Sequence, residues 1–599
     1  MIPHRSTTLF AIIVFVAFLL FIFSSSPVNN SSESVVYVPS RYVPRPKLPS
    51  FDNFRFPFRP AAHKPPEEKN STSGDSKWYT DFRWLNPFSS SITLDENRSV
   101  LPPLPHRTPV YTFYEPNEKN DDQEKEADAK LLLAWRRAWY AQGFRPVVLS
   151  RAEAMNNQYY EAVQRLKMDP ALETDFFRWL AWGHMGTGLL ADWRCFPMAR
   201  YDDDLLTYLR RGAVPTHITR FEKLGGGLFA GEKSRINDAI NEAIKAFNDH
   251  AKSMIELIPA DFFKVEQPSA LAFYNSNTIT THYPALAEKH VSSTASGRLA
   301  LTELINAHLH NTFLNSFSSG IAVLKPLPEH TTALVEPALR LAKALIQCPS
   351  SVLPTSCPPN RPTCQPCSSS SKPISITQPP AFKNTTSLFT IGTVPHPYTL
   401  ISLQHGSDDV TTRYIRRETP RDPWLMEVTK DLLGPERGGP SRVVVFKELV
   451  AGEAAIARSF WMTVENLRAQ PGEDIPAEIL DEMEWQFGFA IPRDVSKKDK
   501  AAEDKDKKPD ENKPEEAKPN DGAQARGEAL QKEYNLIEKA REVLRSKESN
   551  RIGIRDVAEA WNLADSEVWR FVRAYRARSV VERKKWEEEE KNFVGARLD

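Results

Sequence analysis

Asp175, Arg178, Asp192 and Arg194 fall in one run, T-D-F-F-R-W-L-A-W-G-H-M-G-T-G-L-L-A-D-W-R-C-F-P, from Thr174 to Pro197. On a helix Asp175 and Arg178 share one face, while Phe176, Trp179, Leu180 and Gly183 mark the buried side. The plainest use of such a pair is a solvated ion pair. Its chemical use is recognition of a sugar: the carboxylate accepts from hydroxyls, and the guanidinium fork meets hydroxyl or phosphate oxygens. The helix then passes through Gly186-Thr187-Gly188 into a short apolar strand that ends on Asp192. An acid at a strand end beside a glycine turn can help hold the diphosphate of an activated sugar, although Arg194 stands where a second acid is wanted.

Around this run the sequence alternates strand and helix. V-Y-T-F-Y (Val110 to Tyr114) reads as a strand, and Asp121 to Ala141 as a helix with Leu131, Leu132, Trp135 and Trp139 on one face, stopped by Gly143. Phe144 to Leu149 reads as a second strand, with Ser150 capping a helix to Leu166. The alternation predicts an α/β head with a mixed, mostly parallel sheet flanked by helices. Ligands of such sheets sit beyond the carboxyl ends of the strands, where Asp192 falls.

Further along, Gly225-Gly226-Gly227 reads as a flexible loop rather than a phosphate cradle, because the Gly-Lys-Ser/Thr ending of a phosphate loop does not follow it. Ser234 to Phe247 has helical periodicity. Leu271 to Tyr274 and Ile321 to Leu324 read as strands, and about 332–346 as a helix. Trp424 to Leu433 is predicted helical and R-V-V-V-F (Arg442 to Phe446) a strand. The stretch Ile554 to Ala577 resembles a helix-turn-helix with Val557, Ala558, Trp561, Val568, Trp569 and Val572 as its apolar set, suited to packing on the head or on a protein partner.

The N-terminus bears on compartment. Leu9 to Phe23 is fifteen unbroken apolar residues, with Arg5 before it and no further basic residue until Arg41. That pattern predicts a signal anchor with a cytosolic N-terminus and a lumenal head; cleavage near Ser24-Ser25-Ser26 would instead release a secreted chain. Asn29, Asn30, Asn70, Asn97 and Asn384 each open an N-x-Ser/Thr sequon. Cys348, Cys357, Cys364 and Cys367 cluster in a Pro/Ser-rich segment and are disulfide candidates in an oxidising lumen, with the pairing open. The remaining cysteine, Cys195, reads as a small buried hydrophobe.

The expected organisation is therefore a cytosolic tail (1–8), an anchor (9–23), a flexible stem (24–105) and a lumenal head (106–495) with an insertion at 349–380. A disordered charged linker (496–526) and a helical C-terminal segment (527–599) complete it. With 77 basic and 77 acidic side chains the chain has no net basic character, which argues against a nucleic-acid binder. His282, His290, His308, His310 and His405 lack metal or hydrolase spacing.

The order acid-x-x-Arg, Gly186-Thr187-Gly188, L-L-A-D and then Y-D-D-D-L-L (Tyr201 to Leu206) resembles the donor-site stretch of the DXD-containing glycosyltransferases, which include fungal initiation-specific α-1,6-mannosyltransferases. That resemblance implies a GT-A-like fold and a single-pass type II protein of the Golgi membrane. It also implies transfer of a hexose, mannose above all, from GDP-mannose or a UDP-hexose to a glycan or glycoprotein acceptor, usually with Mn²⁺. It would make Asp175, Arg178, Gly186, Thr187 and Gly188 donor-sugar residues and Asp192 with Arg194 the catalytic pair. The motif is degenerate: in one register Arg194 replaces the second acid, in the other Leu190 replaces the first. Three readings follow. Arg194 replaces the metal; or Asp192 binds a metal with help from Asp202, Asp203 or Asp204; or the head is an inactive, membrane-tethered interaction protein.

Overall fold

The structure is a computed structural model. It describes residues 61–66, 101 and 106–116, and then 121–593 with interruptions at 213–215, 249, 327–332, 368–373, 407–409, 413–422, 464–474 and 494–520. The anchor segment and the sequons at Asn29, Asn30, Asn70 and Asn97 lie outside the described residues. Among the described residues no helix is long and apolar enough to cross a membrane.

Twelve strands are described, in three sheets. The first sheet has six: β1 (Pro109–Phe113), β2 (Arg145–Leu149), β3 (Gly188–Ala191), β5 (Ile218–Phe221), β6 (Leu228–Gly231) and β7 (Phe263–Glu266), in the order β2-β1-β3-β6-β5-β7. β1 runs parallel to β2 and β3, and β5 parallel to β7, whereas β6 is antiparallel to both of its neighbours. Only β6 is reversed, so five carboxyl ends share one rim. The fold is mixed α/β with a mostly parallel sheet flanked by helices, as the alternation predicts.

The helix Asp122–Ala141 buries Leu131, Leu132, Trp135 and Trp139, and is capped by the Asp121 side chain on the Glu124 amide. Gly143 (φ +84°) turns the chain back into β2. After β2 the expected helix to Leu166 is broken into Arg151–Ala154 and Tyr160–Gln164. The Asn156 side chain bonds back to the Ala152 carbonyl, and the Asn157 side chain takes the Tyr159 amide; such local bonds compete with a continuous helix. The first fragment keeps its cap, a reciprocal Ser150–Glu153 box.

The helix Pro170–Met185 lays Phe176, Trp179, Leu180 and Trp182 on one face of the sheet against Tyr111, Phe229, Ile236 and Ile240, with Lys233–Lys245 beside it. Each such large side chain contributes about 1.5–3 kcal/mol by leaving water. β4 (Cys195–Pro197) and β8 (Leu271–Phe273) form a two-stranded antiparallel sheet just beyond β3.

A second main sheet, unforeseen as a unit, is made of β9 (Gly320–Leu324), β10 (Ile376–Thr377), β11 (Leu388–Val394) and β12 (Ser459–Thr463), all parallel in the order β10-β9-β11-β12. One core continues from Trp135, Trp139 and Phe196 through Leu304 and Ile305 to Ile321, Phe389 and Met462, so both main sheets share it. On the far face of the second sheet Trp461 and Phe446 meet Trp424, Val568, Trp569 and Val572.

Arg442 to Phe446, expected as a strand, lies in the helix Gly439–Ala451. Its buried residues Arg442, Val443, Phe446 and Val450 follow helical spacing, and tertiary burial overrides the β preference of three consecutive valines. The C-terminal region forms the helices Asp521–Arg545, Ser549–Trp561 and Leu563–Glu590, and the apolar set from Val557 to Val572 is taken up by the chain's own second sheet and by Tyr398. The four clustered cysteines pair as Cys348–Cys367 and Cys357–Cys364, across the segment read as an insertion, while Cys195 is free and buried.

Candidate functional site

The turn at Gly186 sends the chain back along the helix that precedes it. From Met185 back to Arg178 the helix rises about 10 Å, and from Gly188 to Asp192 the strand advances about 13 Å in the same direction. Arg178 and Asp192 therefore meet at the carboxyl rim of the sheet. The same arithmetic separates Gly186, Thr187 and Gly188 from Asp192 by most of the strand's length. At the amino end of β3 these residues serve the turn. Gly186 has φ +97° and packs on Lys233, the Thr187 hydroxyl accepts the Lys233 amide at 3.3 Å, and a Cβ on Gly188 would lie 2.9 Å from Tyr111.

At the rim Asp192 and Arg194 form a two-pronged pair. Arg194 Nε donates to Oδ1 at 3.0 Å and Nη2 to Oδ2 at 3.0 Å, and the Arg194 amide adds a third bond to Oδ1 at 2.9 Å. The side chains keep 17% (Asp192) and 33% (Arg194) of their surface exposed. Burial opposes ionisation of Asp192, but Arg194, its hydrogen bonds and the nearby charge of Arg178 together hold the carboxyl below its ordinary range. Burial also works against the Arg194 cation, and Asp192 more than restores it. The neighbouring Cys195 thiol is pushed up by burial and by the Asp192 charge, so it carries no nucleophile.

Arg178 Nη2 donates to the Gly226 carbonyl at 2.7 Å, and its Nη1 lies 3.8 Å from Asp175. Asp175 also accepts the Met254 amide at 2.9 Å, at the start of the short helix Met254–Leu257. Asp175 thus supports its own side of the rim through Arg178 and a helix start.

The loop Gly225–Gly227, read as merely flexible, is pinned to this rim. The Gly227 carbonyl accepts the Asp192 amide at 2.8 Å, and a Cβ on Gly227 would stand 2.9 Å from Phe273 and 3.0 Å from the Leu224 carbonyl. Gly227→Ala is expected to lower stability by about 1–3 kcal/mol and to displace the Asp192 amide; urea unfolding of the variant checks it, and an unchanged midpoint would refute the close packing. Trp193, the residue after the acid, packs edge-on against Tyr114 with ring centres 5.4 Å apart. Three glycines in a row were the available signal for the loop; nothing local marks Tyr114.

Of the three acids expected to assist Asp192, two are engaged elsewhere, and Asp204 is exposed in the first turn of its helix. Asp202 pairs with Arg200 at 2.6 Å and Arg458 at 3.3 Å, and Asp203 caps the helix Asp204–Arg210 by accepting the Leu205 and Leu206 amides. Both Asp192 oxygens are held by Arg194, and among the described residues no group of three or more His, Cys, Asp or Glu side chains could hold a metal ion. A hard divalent cation wants several oxygen ligands, so these residues do not fit Mn²⁺. The histidines of the helix Thr294–Ser316 are buried in the core, His308 bonded through both ring nitrogens to Tyr274 and Ser356 and His310 through Nε2 alone to the Leu345 carbonyl.

No curated protein and no solved structure matches the chain. A family model described as "Domain of unknown function (DUF8765)" matches residues 72–598, a span that takes in both main sheets, the Asp192 rim and the C-terminal helices. The chain belongs to that family.

Proposed function

We propose that this chain is a secretory-pathway, glycosyltransferase-like protein that takes a nucleotide sugar at the carboxyl rim of its first sheet without a metal ion. The observation that carries this reading is the partly exposed Asp192–Arg194 pair beside Arg178, at a strand end next to a tightly packed glycine loop. A mostly parallel sheet with such an acid at its rim is also what the DXD-transferase resemblance implies. Two disulfides fit an oxidising compartment, and the type II Golgi placement rests on the 9–23 segment.

Hexosyl transfer needs the departing diphosphate neutralised. A guanidinium oriented by Asp192 supplies a fixed positive group for that charge, with Nη1 of Arg194 left for a phosphate oxygen. Arg178, held by the Gly226 carbonyl, adds a second cation at the same rim, and Asp175 keeps it in place. Mannose from GDP-mannose is the favoured donor, a UDP-hexose the next, and a glycan or glycoprotein the acceptor. The second reading, an inactive tethered interaction protein, draws on the complete engagement of both Asp192 oxygens by Arg194.

Calorimetry on the detergent-solubilised full chain with GDP-mannose and UDP-glucose separates the two. Binding is expected with EDTA present, and Arg194→Ala is expected to weaken it at least tenfold, about 1.4 kcal/mol or more. If neither nucleotide sugar binds the wild type, or Arg194→Ala binds as tightly, the transferase reading falls and the interaction protein stands.

A further inference from the structure

A charged cavity lies at the end of the first sheet opposite Asp192. It has a volume of about 600 Å³, within the range of small-molecule sites. Arg107, which precedes β1, and Arg145, the first residue of β2, line it together with Arg210 and Arg211 at the end of the Asp204–Arg210 helix. From the facing C-terminal helix come Arg576, Arg583 and Lys585. Seven cationic side chains thus face the three lining carboxylates of Glu453, Glu582 and Glu589, an excess of four.

Little of that charge is neutralised internally. Arg210 lies 3.4 Å from Glu453, and Arg583 pairs with Glu587. Arg107 sits 3.8 Å over the Tyr140 ring and, among the described residues, donates to the Tyr140 and Phe144 carbonyls. Arg576 donates to the Trp461 carbonyl at 3.0 Å and to the Gln486 side chain at 3.1 Å, and no carboxylate pairs with it among the described residues. Burial, unanswered by an acid, pulls the Arg576 guanidinium down to about 10. Arg145, Arg211 and Lys585 are exposed at the mouth and have no carboxylate at ion-pair distance among the described residues. Tyr140 and Trp586, stacked with ring centres 5.9 Å apart, form an aromatic wall.

We propose that this cavity binds a small phosphorylated anion of diphosphate size or larger. Guanidinium forks match phosphate oxygens two at a time, and a recessed excess of positive charge concentrates anions ahead of binding. The strands of the first sheet separate this cavity from Asp192 by about 15 Å, so its ligand is distinct from a donor at the rim. Because walls come from both the first sheet and the C-terminal helix, an occupant would draw the two together.

The test is calorimetry of the full chain with inorganic pyrophosphate at physiological salt, with inorganic sulfate at matched ionic strength as a second arm. Saturable pyrophosphate binding is expected to persist in Arg194→Ala, which removes the rim guanidinium proposed to meet a donor diphosphate, and to weaken at least tenfold when Arg145→Glu/Arg211→Glu/Lys585→Glu is added to that background. These three side chains are exposed, so the variant is expected to unfold at the wild-type temperature; Arg211→Glu alone, expected to weaken binding severalfold, serves if it does not. Absence of pyrophosphate binding to the wild type overturns the proposal. So does undiminished binding in the charge-reversed variants, loss in Arg194→Ala, or sulfate binding as tightly as pyrophosphate.

Discussion

His63→Ala is expected to destabilise the folded chain by about 3–5 kcal/mol near pH 6, because it strips the partner from two buried acids at once. His63 Nδ1 lies 2.8 Å from Glu153 and Nε2 3.1 Å from Glu590, with all three side chains nearly inaccessible. Its amide adds a bond to Glu153 at 2.9 Å, and its ring stacks on Phe593 at 3.6 Å. Burial alone would lower the imidazole, but the hydrogen bonds and charges of the two carboxylates outweigh it and raise His63 from 6.5 to about 9. The folded value exceeds the unfolded one, so this contribution is complete below pH 6.5, declines as pH rises and is lost above about 9. Such a shift corresponds to about 3 kcal/mol. Glu153 behaves oppositely: burial works against its charge, His63 and Ser150 hold it below its ordinary 4.5, and its contribution is lost as pH falls through that lowered value. Stability from the bridge thus peaks between about pH 5 and 6.5. Urea unfolding from pH 5 to 9.5 checks this: the wild type should weaken between 6.5 and 9 and His63→Ala should not. Parallel curves for the two proteins would sink the argument.

Gly392→Ala carries the other large effect. Gly392 sits mid-strand in β11, opposite Trp461 on β12 and Leu324 on β9, and a Cβ there would lie 2.1 Å from the Trp461 indole. The indole cannot step aside: it is fully buried between Phe382 and Phe446, and its Nε1 donates to the Ser459 hydroxyl at 3.0 Å. Ordinary overpacking costs about 1–3 kcal/mol, and a clash between backbone-fixed and locked groups is expected to reach or exceed the top of that range. A calorimetric melt should fall by about 3 °C or more. Adding Trp461→Phe should recover part of the loss, since neighbouring residues couple. A single variant as stable as the wild type would show that the strand pair opens to admit a methyl group.

The first sheet was legible because its signals are local. Periodic apolar residues mark the helices 122–141, 170–185 and 233–245, and Gly143 and Ser150 punctuate them. The second sheet was not legible as a unit, because its strands are joined across long helical and Pro/Ser-rich segments and every register is non-local. Arg442 to Phe446 misled because three valines favour a strand until Phe446 and Val450 are seen buried with them on one helical face. At the candidate site, the sequence placed Asp192 at a strand end and Asp175 with Arg178 on one helix. It also set Gly186 to Gly188 at the start of that strand and Asp192 at its end; the donor role of the glycines came from the family resemblance, not from that placement. The two-pronged closure of Arg194 on Asp192 was hidden, since adjacency in sequence fixes no side-chain geometry.

The last helix, Leu563–Glu590, supplies Val568, Trp569 and Val572 to the core of the second sheet and Glu590 to the His63 bridge. During synthesis at about 5–20 residues per second, segments fold in the order in which they emerge, and the region around β12 must wait through some hundred further residues for this cover. Trp461 and Phe446 are thus left wet on the nascent chain, open to holdase chaperones and to self-association. A stop codon just before residue 563 would make that transient exposure permanent, and its product is a substrate for quality control rather than a shortened working protein.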